Sequence, residues 1–113
     1  MTDASTHLLE ISGDAGLRNA QDIAARLRQA LADHTSIAVV TDGLISIDIT
    51  ILQLLVAART SALASGKTLT LRAPSDGALP RLLVRAGFVG TDGKSRTPEG
   101  AFWTDISALE QAA

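Results

Sequence analysis

The stretch from Ser36 to Gly66 constrains the fold more than any other part of the chain. It opens with the β-branched and apolar run Ile37–Val40, which is followed by the turn signal Asp42-Gly43, and this pattern is typical of a buried strand. The apolar patch Leu44–Ile47 then leads through a loop into a long run of good helix formers that ends at Gly66, a residue suited to the left-handed helix stop. The sequence therefore predicts a strand, a loop and a helix over Thr50–Ser65.

The start of this predicted helix has two candidate caps. Thr50 is followed three residues later by Gln53, which fits a capping box, and Asp48 is the competing cap because Asp is also strongly preferred there. The first turn of a helix gathers unpaired N–H groups and the positive end of the dipole. Such a position suits an anion or a modified hydroxyl group, and Thr50 supplies a hydroxyl.

Apolar residues at helical spacing predict which helix faces are buried. In the first helix they form one stripe, and in the second they form a broad face that Ile51 and Leu54 widen. The stripe consists of Ile23, Leu27, Ala30 and Leu31, and the broad face of Leu52, Leu55, Val56 and Leu63.

The same kinds of pattern give the order of the remaining elements. They are a strand at His7–Ser12 ended by Gly13–Gly16, a helix over Asn19–His34 capped by Asn19, a strand at Lys67–Arg72, a third helix capped by Ser75 and stopped by Gly87, a short strand at Phe88-Val89, a loop over Gly90–Gly100, and a last helix over Trp103–Gln111 anchored by Ile106 and Leu109.

The alternation of strands and helices predicts an α/β fold. We expect a mixed, partly parallel sheet of four to five strands, with Ile37–Val40 central, Leu69–Leu71 beside it and helices packed on it. The length predicts a single domain over residues 1–113, with a core over about residues 7–89 and a loop and C-terminal helix over residues 90–113.

Composition excludes several classes of function. The chain has no cysteine, so disulfides and thiolate metal sites are ruled out. A net charge of −2 gives no electrostatic footprint for nucleic acid. The N-terminus is polar and acidic, unlike a secretory signal, and the longest apolar run is too short to span a bilayer. We therefore expect a cytoplasmic protein that neither binds nucleic acid nor inserts into membrane.

The polar residues do not form a catalytic constellation. Gly66-Lys67-Thr68 looks like the end of a phosphate-binding loop, but Ser61 stands where the motif needs its first glycine. The two histidines, His7 and His34, lie at a strand start and a helix end, and Asp42 and Asp48 suit a turn and a helix start. We therefore expect no enzyme activity, no cofactor and no metal site.

Six segments, among them Asp48–Arg59 and Leu82–Phe88, resemble the STAS domain, the fold of anti-sigma-factor antagonists. The resemblance covers about Leu8 to Val89 and rests on the order and spacing of its segments. The segment Leu52–Arg59, LQLLVAAR, is most similar to the small STAS proteins encoded with bacterial chemotaxis genes. It also resembles the STAS proteins of lipid-transport ABC systems. The segments are Ser12-Gly13, Asn19–His34, Asp48–Arg59, Gly66–Leu71, Ala73-Pro74-Ser75 and Leu82–Phe88.

The resemblance implies a phosphorylation switch at the start of the second helix. In phosphoregulated members the pattern at this helix start begins with Asp, and a partner kinase phosphorylates the hydroxyl of the residue that follows it. Asp48 matches that Asp. Ile49 occupies the acceptor position, Ile51 replaces the family's Gly, and Val40 stands where the family tends to have an acid. Thr50, one residue later, is therefore the phospho-acceptor candidate, and the alternative is that Thr50 serves only as a cap.

The resemblance implies a regulatory protein-binding module of the anti-sigma factor antagonist or chemotaxis type. Its expected partner is a kinase-type anti-sigma factor or a chemotaxis signalling protein. Two alternatives stay open: a cytoplasmic STAS subunit of an ABC-type lipid transporter, and a STAS domain that senses a small ligand or nucleotide. The expected partner-binding surface consists of Leu44, Ser46, Asp48, Ile49, Thr50, Ile51 and Gln53.

Overall fold

A computed structural model describes residues 6–74 and 76–104 of the chain. Five strands and four α-helices are present in this part. In chain order they are β1 (His7–Glu10), β2 (Gly13–Ala15), a short 3-10 helix (Leu17–Asn19), α1 (Ala20–Asp33), β3 (Ser36–Val40), β4 (Leu44–Ile47), α2 (Ile49–Ala64), β5 (Thr68–Arg72), α3 (Ala78–Arg85) and α4 (Ala101–Thr104).

The strands form two parallel ladders, of which the larger has the order β1-β3-β5. Its register aligns Leu9, Val39 and Leu71, so β3 is central and β5 lies beside it as predicted. Within the described residues, antiparallel pairing is confined to the single bridge between Val89 and Ser95. The predicted α/β fold, with helices packed on a partly parallel sheet, is confirmed.

The smaller ladder pairs β2 with β4, and local sequence patterns did not predict it. Gly13–Gly16 was expected only to end a strand, and Leu44–Ile47 to belong to a loop. Both segments instead continue the larger ladder beyond a break, because Ile11 N–H donates to Val40 O at 2.9 Å and Gly13 N–H donates to Gly43 O at 2.9 Å. The C-terminal ends of β2 and β4 consequently lie side by side.

One face of the sheet carries the core, which α1 and α2 cover. Val39 and Leu55 are both fully buried, as this architecture requires. Residues that α1 and α2 turn towards the core are Ile23, Leu27, Ala30, Ile51, Leu52, Leu55, Ala58 and Ala62. Leu63 was predicted on the apolar face of α2, but that prediction is wrong because its side chain is 57% exposed.

The chain after β5 returns to the core. The third helix begins at Ala78 with Gly77 at its N-cap position, and the predicted cap Ser75 lies outside the described residues. Gly87, with φ 83°, ends the segment in the left-handed conformation as predicted. Trp103 is 1% exposed and contacts Phe88 edge-on, so the core extends beyond Val89. The predicted anchors of the last helix, Ile106 and Leu109, lie outside the described residues.

Candidate functional site

Asp48 joins two segments at the C-terminal end of the sheet. It follows β4 directly and is the N-cap of α2, where its Oδ1 accepts a hydrogen bond from Thr50 N–H at 3.0 Å. Its Oδ2 accepts from Leu17 N–H at 3.1 Å, across 31 residues of sequence. Of the two predicted caps, Asp48 is therefore correct and the Thr50–Gln53 capping box is wrong, since Thr50 lies inside the helix and is itself capped.

Gly16 makes room for the Asp48 carboxylate. A Cβ atom at residue 16 would lie 2.6 Å from Asp48 Oδ2, which is closer than real Cβ contacts. The backbone of Gly16 is extended, with φ −162°, so any residue could adopt its conformation. Space, and not backbone freedom, is the reason for glycine at this position.

A small polar network holds the segment around Gly16 in place. Asn19 Oδ1 accepts from Gly16 N–H at 2.8 Å, and Asn19 Nδ2 donates to Asp14 O at 2.6 Å. Ser46 Oγ donates to Asp14 Oδ1 at 2.6 Å and so joins β4 to the same segment. Asn19 occupies the N-cap position of α1 as predicted, but its side chain turns back to Gly16 and Asp14 and makes no cap hydrogen bond.

A shallow cleft of about 710 Å³ runs beside Asp48. Residues 12, 14–19 and 46–48 line it, so it follows the polar network and the end of the smaller ladder. Both walls are anchored to the sheet, one through β2 and the other through β4. The hydrogen-bonded backbone of the sheet therefore bounds the cleft on both sides.

Three large apolar side chains are exposed on the segments next to Asp48, and one of them, Leu17, lines the cleft. Leu17 and Ile45 are each 74% exposed, and Ile49, the first residue of α2, is 45% exposed. They belong to the three segments that meet at Asp48: the 3-10 helix, β4 and α2. Exposed apolar side chains grouped in one region are typical of interaction surfaces.

The predicted partner-binding residues divide by exposure. Ser46, Ile49 and Gln53 are exposed, and Leu44, Asp48 and Thr50 are half-buried. Ile51 is fully buried among the core residues, so its place on the predicted surface was wrong. Its helical spacing with Leu55, Ala58 and Ala62 is the signal that identifies it as a core residue.

Sequence reasoning missed the contribution of the β2 side of the site. Gly16 and Leu17 touch or bond to Asp48, and Asp14 bonds to Ser46. A single apolar residue, Leu17, between Gly16 and Arg18 was a weak signal of an exposed contact. The pairing itself joins residues about thirty apart, which no local pattern reveals.

The two histidines lie away from Asp48, at the start of β1 and just after α1. Their rings stack with centroids 4.0 Å apart and planes 5° apart. Across residues 6–74 and 76–104, no group of three or more His, Cys, Asp or Glu side chains is arranged to hold a metal ion. None of the helices in those ranges has the length and apolar character needed to cross a membrane.

Comparison with models of protein families shows which family the chain belongs to. The family model described as "Mlab, STAS domain" matches residues 2–90, a span that contains every element from β1 to α3 and the whole Asp48 region. The chain belongs to the STAS family. STAS domains are generally non-catalytic regulatory modules that interact with protein partners. A comparison with curated proteins found no match.

Proposed function

We propose that this STAS protein is a non-catalytic regulatory module that binds a protein partner through one surface at the start of α2. The observation that supports this proposal most strongly is the exposure of Leu17 and Ile45, the two most exposed large apolar side chains among the described residues. We call this region the Asp48 surface, and it consists of Leu17, Ile45, Ser46, Asp48, Ile49, Thr50 and Gln53.

The composition of the Asp48 surface suits a protein partner. Apolar side chains lie beside polar groups that already have hydrogen-bond partners, as Ser46 and Asp48 do. Interfaces have such an apolar centre with a polar rim. Fully burying an exposed Leu or Ile side chain gains about 1.5 to 3 kcal/mol, so Leu17, Ile45 and Ile49 together supply a useful share of a binding free energy.

The partner that we propose is a kinase-type anti-sigma factor or a chemotaxis signalling protein in the cytoplasm. Support comes from the resemblance of the α2 segment LQLLVAAR to small STAS proteins encoded with chemotaxis genes. A second candidate is a cytoplasmic subunit of an ABC-type lipid transporter. The same segment resembles the STAS proteins of those systems, and the matched family model carries the name Mlab.

We propose Thr50 as the residue where phosphorylation would control this binding. It is the second residue of α2, half-buried, and its N–H bonds to Asp48 Oδ1. A phosphate would add about −1.5 to −2 charges close to the Asp48 carboxylate. The helix N-terminus would favour that charge, but Asp48 would repel it, and an apolar partner could no longer seat on the Asp48 surface.

The test of the proposed function is Ile45→Glu against the matched control Val84→Glu. Both residues are exposed apolar residues, but Val84 lies on α3, outside the Asp48 surface. Binding should be measured with purified products of genes that neighbour this one: sigma-factor kinases, chemotaxis proteins or transporter ATPases. We expect Ile45→Glu to weaken binding at least about tenfold and Val84→Glu to leave it unchanged.

Two outcomes would contradict the proposal. If Ile45→Glu and Val84→Glu bind the partner as tightly as the natural chain, the Asp48 surface is not the interface. If the pure protein hydrolyses a nucleotide or a phosphoester and one substitution abolishes that activity, the protein is an enzyme. Circular dichroism on each variant ensures that a loss of binding is not a loss of fold.

A further inference from the structure

A pair of histidines lies where β1 meets α1 and has no role in the proposed function. His7 is the first residue of β1, and His34 follows the last residue of α1. Their ring centroids are 4.0 Å apart and their planes differ by 5°. His7 is half-buried and His34 is exposed, so dissolved ions can reach the pair. Imidazole is the side chain that most often binds a metal ion in proteins.

The backbone on both sides of the pair is fixed by hydrogen bonds. His7 aligns with Ile37 in the ladder of β1 and β3, and it lies on the same side of the strand as the buried Leu9. His34 N–H donates to Ala30 O at 2.9 Å at the end of α1. The two rings therefore meet because β1 and α1 pack against each other, and the unfolded chain does not hold them together.

The side chains around the pair favour a cation. A shallow depression of about 430 Å³ adjoins the two rings, and Glu10, Asp33 and Arg26 are the other charged residues that line it. The Arg26 guanidinium donates to Glu10 O, and Asp33 Oδ2 accepts from Gln29 Nε2 at 2.7 Å. Two carboxylates against one guanidinium give the depression an excess of negative charge.

We infer that His7 and His34 together bind one divalent transition-metal ion of the zinc type. Zinc binds imidazole nitrogens at about 2.0 to 2.1 Å in tetrahedral geometry, which places two such nitrogens about 3.3 Å apart. The 4.0 Å between the ring centroids is close to this separation. The nitrogen lone pairs lie in the ring planes, so the rings have to tilt about their side-chain bonds until one nitrogen of each points at the ion.

Water completes the coordination of the ion. Among residues 6–74 and 76–104, no third His, Cys, Asp or Glu joins the two histidines in a preformed ligand group. A structural zinc site has four protein ligands, so a site with two is weaker and exchanges its ion. Mg²⁺ and Ca²⁺ prefer oxygen ligands and do not suit two imidazoles.

The bound ion would join the start of β1 to the end of α1. It binds the folded chain and not the unfolded one, so it stabilises the fold by mass action. We expect excess ZnCl₂ to raise the melting temperature of the natural chain and to leave that of His7→Ala and His34→Ala unchanged. The pair lies at the N-terminal end of β1, away from the Asp48 surface, so this inference is independent of the proposed function.

Isothermal titration calorimetry with ZnCl₂ and NiCl₂ on the untagged full chain tests the site. We expect one ion per chain. His7→Ala and His34→Ala are matched to each other, because each keeps one imidazole. The dissociation constant should rise at least about tenfold in both, since neither can supply two ligands. MgCl₂ is the control ion and should not bind.

Nitrogen-15 NMR of the imidazole rings tests the shared site in the natural chain and does not depend on how a variant folds. The chain has two histidines, so the two single variants assign their ring signals. Zn²⁺ should shift the ring signals of His7 and His34 with the same dependence on its concentration. Both shifts should be complete together, because one ion binds both rings.

Three results would overturn the inference. Two ions per chain in the calorimetry, with each single variant keeping one site of unchanged affinity, would mean that the histidines act independently. Ring signals of only one histidine that shift with Zn²⁺ would exclude a shared ion, and signals of neither that shift would exclude binding. None of these results bears on Ile45→Glu, so the proposed function stands or falls on its own test.

Discussion

At the scale of single residues, one carboxylate ties the two halves of the site together. Asp48 Oδ1 caps α2, and Oδ2 holds the backbone of Leu17 at a position that only glycine at residue 16 leaves open. Each oxygen satisfies an N–H that would otherwise lack a partner at the end of a helix or turn. The residue therefore has a structural role whether or not a partner binds.

A double-mutant cycle tests this coupling. Asp48→Ala should lower the free energy of unfolding by about 2 kcal/mol, the sum of a lost cap and a lost hydrogen bond. Gly16→Ala alone should cost about 1 to 3 kcal/mol, since its Cβ would overlap Asp48 Oδ2. Urea denaturation should find Gly16→Ala nearly neutral once Asp48 is Ala. Strict additivity would mean that the overlap is not the reason for glycine.

The two roles considered for Thr50, helix cap and phospho-acceptor, can be tested separately. Because Asp48 is the cap, Thr50→Ala should change the free energy of unfolding by less than about 0.5 kcal/mol. Thr50→Glu should keep the fold, since an acid suits the first turn, but should weaken partner binding. Equal binding by Thr50→Ala, Thr50→Glu and the natural chain, with no phosphate on protein from its own cells, would leave Thr50 without a switching role.

At the scale of elements, α2 has an inner and an outer face that periodicity alone did not separate. Leu55 is fully buried and Leu63 is 57% exposed, although both were predicted on one apolar face. Leu55→Ala should cost about 2 to 5 kcal/mol of stability through the cavity that it leaves. Leu63→Ala should cost less than about 1 kcal/mol in the monomer, measured by urea denaturation at low protein concentration. Similar losses would contradict the assignment of the two faces.

The elements show how far the sequence predicts this fold. β3, β5, α1 and α2 were predictable because each has a clear apolar period and a turn or glycine at its end. β2 and β4 were not, because β2 is three residues long and its partner lies about thirty residues away. The same limit applies to the candidate site. Local sequence patterns predicted its β4 and α2 side, but they missed its Gly16–Leu17 side, which only the long-range pairing brings next to Asp48.

At the scale of the whole molecule, the family match ends at residue 90 while the core continues to Trp103. Arg96 N–H donates to Phe88 O at 2.9 Å, and the Trp103 indole N–H donates to Glu99 Oε1 at 3.1 Å. The segment after the matched region thus folds back on the end of α3 and covers part of the core. Its contribution is to stability rather than to the Asp48 surface.

Trp103 makes this contribution measurable because it is the only tryptophan of the chain. Trp103→Phe should lower the free energy of unfolding moderately, and Trp103→Ala by about 3 to 5 kcal/mol. Phe102→Ala, at a half-buried neighbour, is the control and should cost less. In the natural chain, tryptophan emission should shift to longer wavelength in the same urea transition as circular dichroism. A separate, earlier shift would show that residues 90–104 unfold independently of the core.

The hydrogen bond between Leu17 N–H and Asp48 Oδ2 has a consequence for how the site opens. Because one carboxylate holds both the 3-10 helix and the first turn of α2, fraying of either segment removes a partner from the other. Opening of the first turn of α2 is therefore coupled to release of the 3-10 helix. A partner that holds Leu17 against Asp48 should therefore also slow unwinding around Thr50, although it does not contact Thr50 itself.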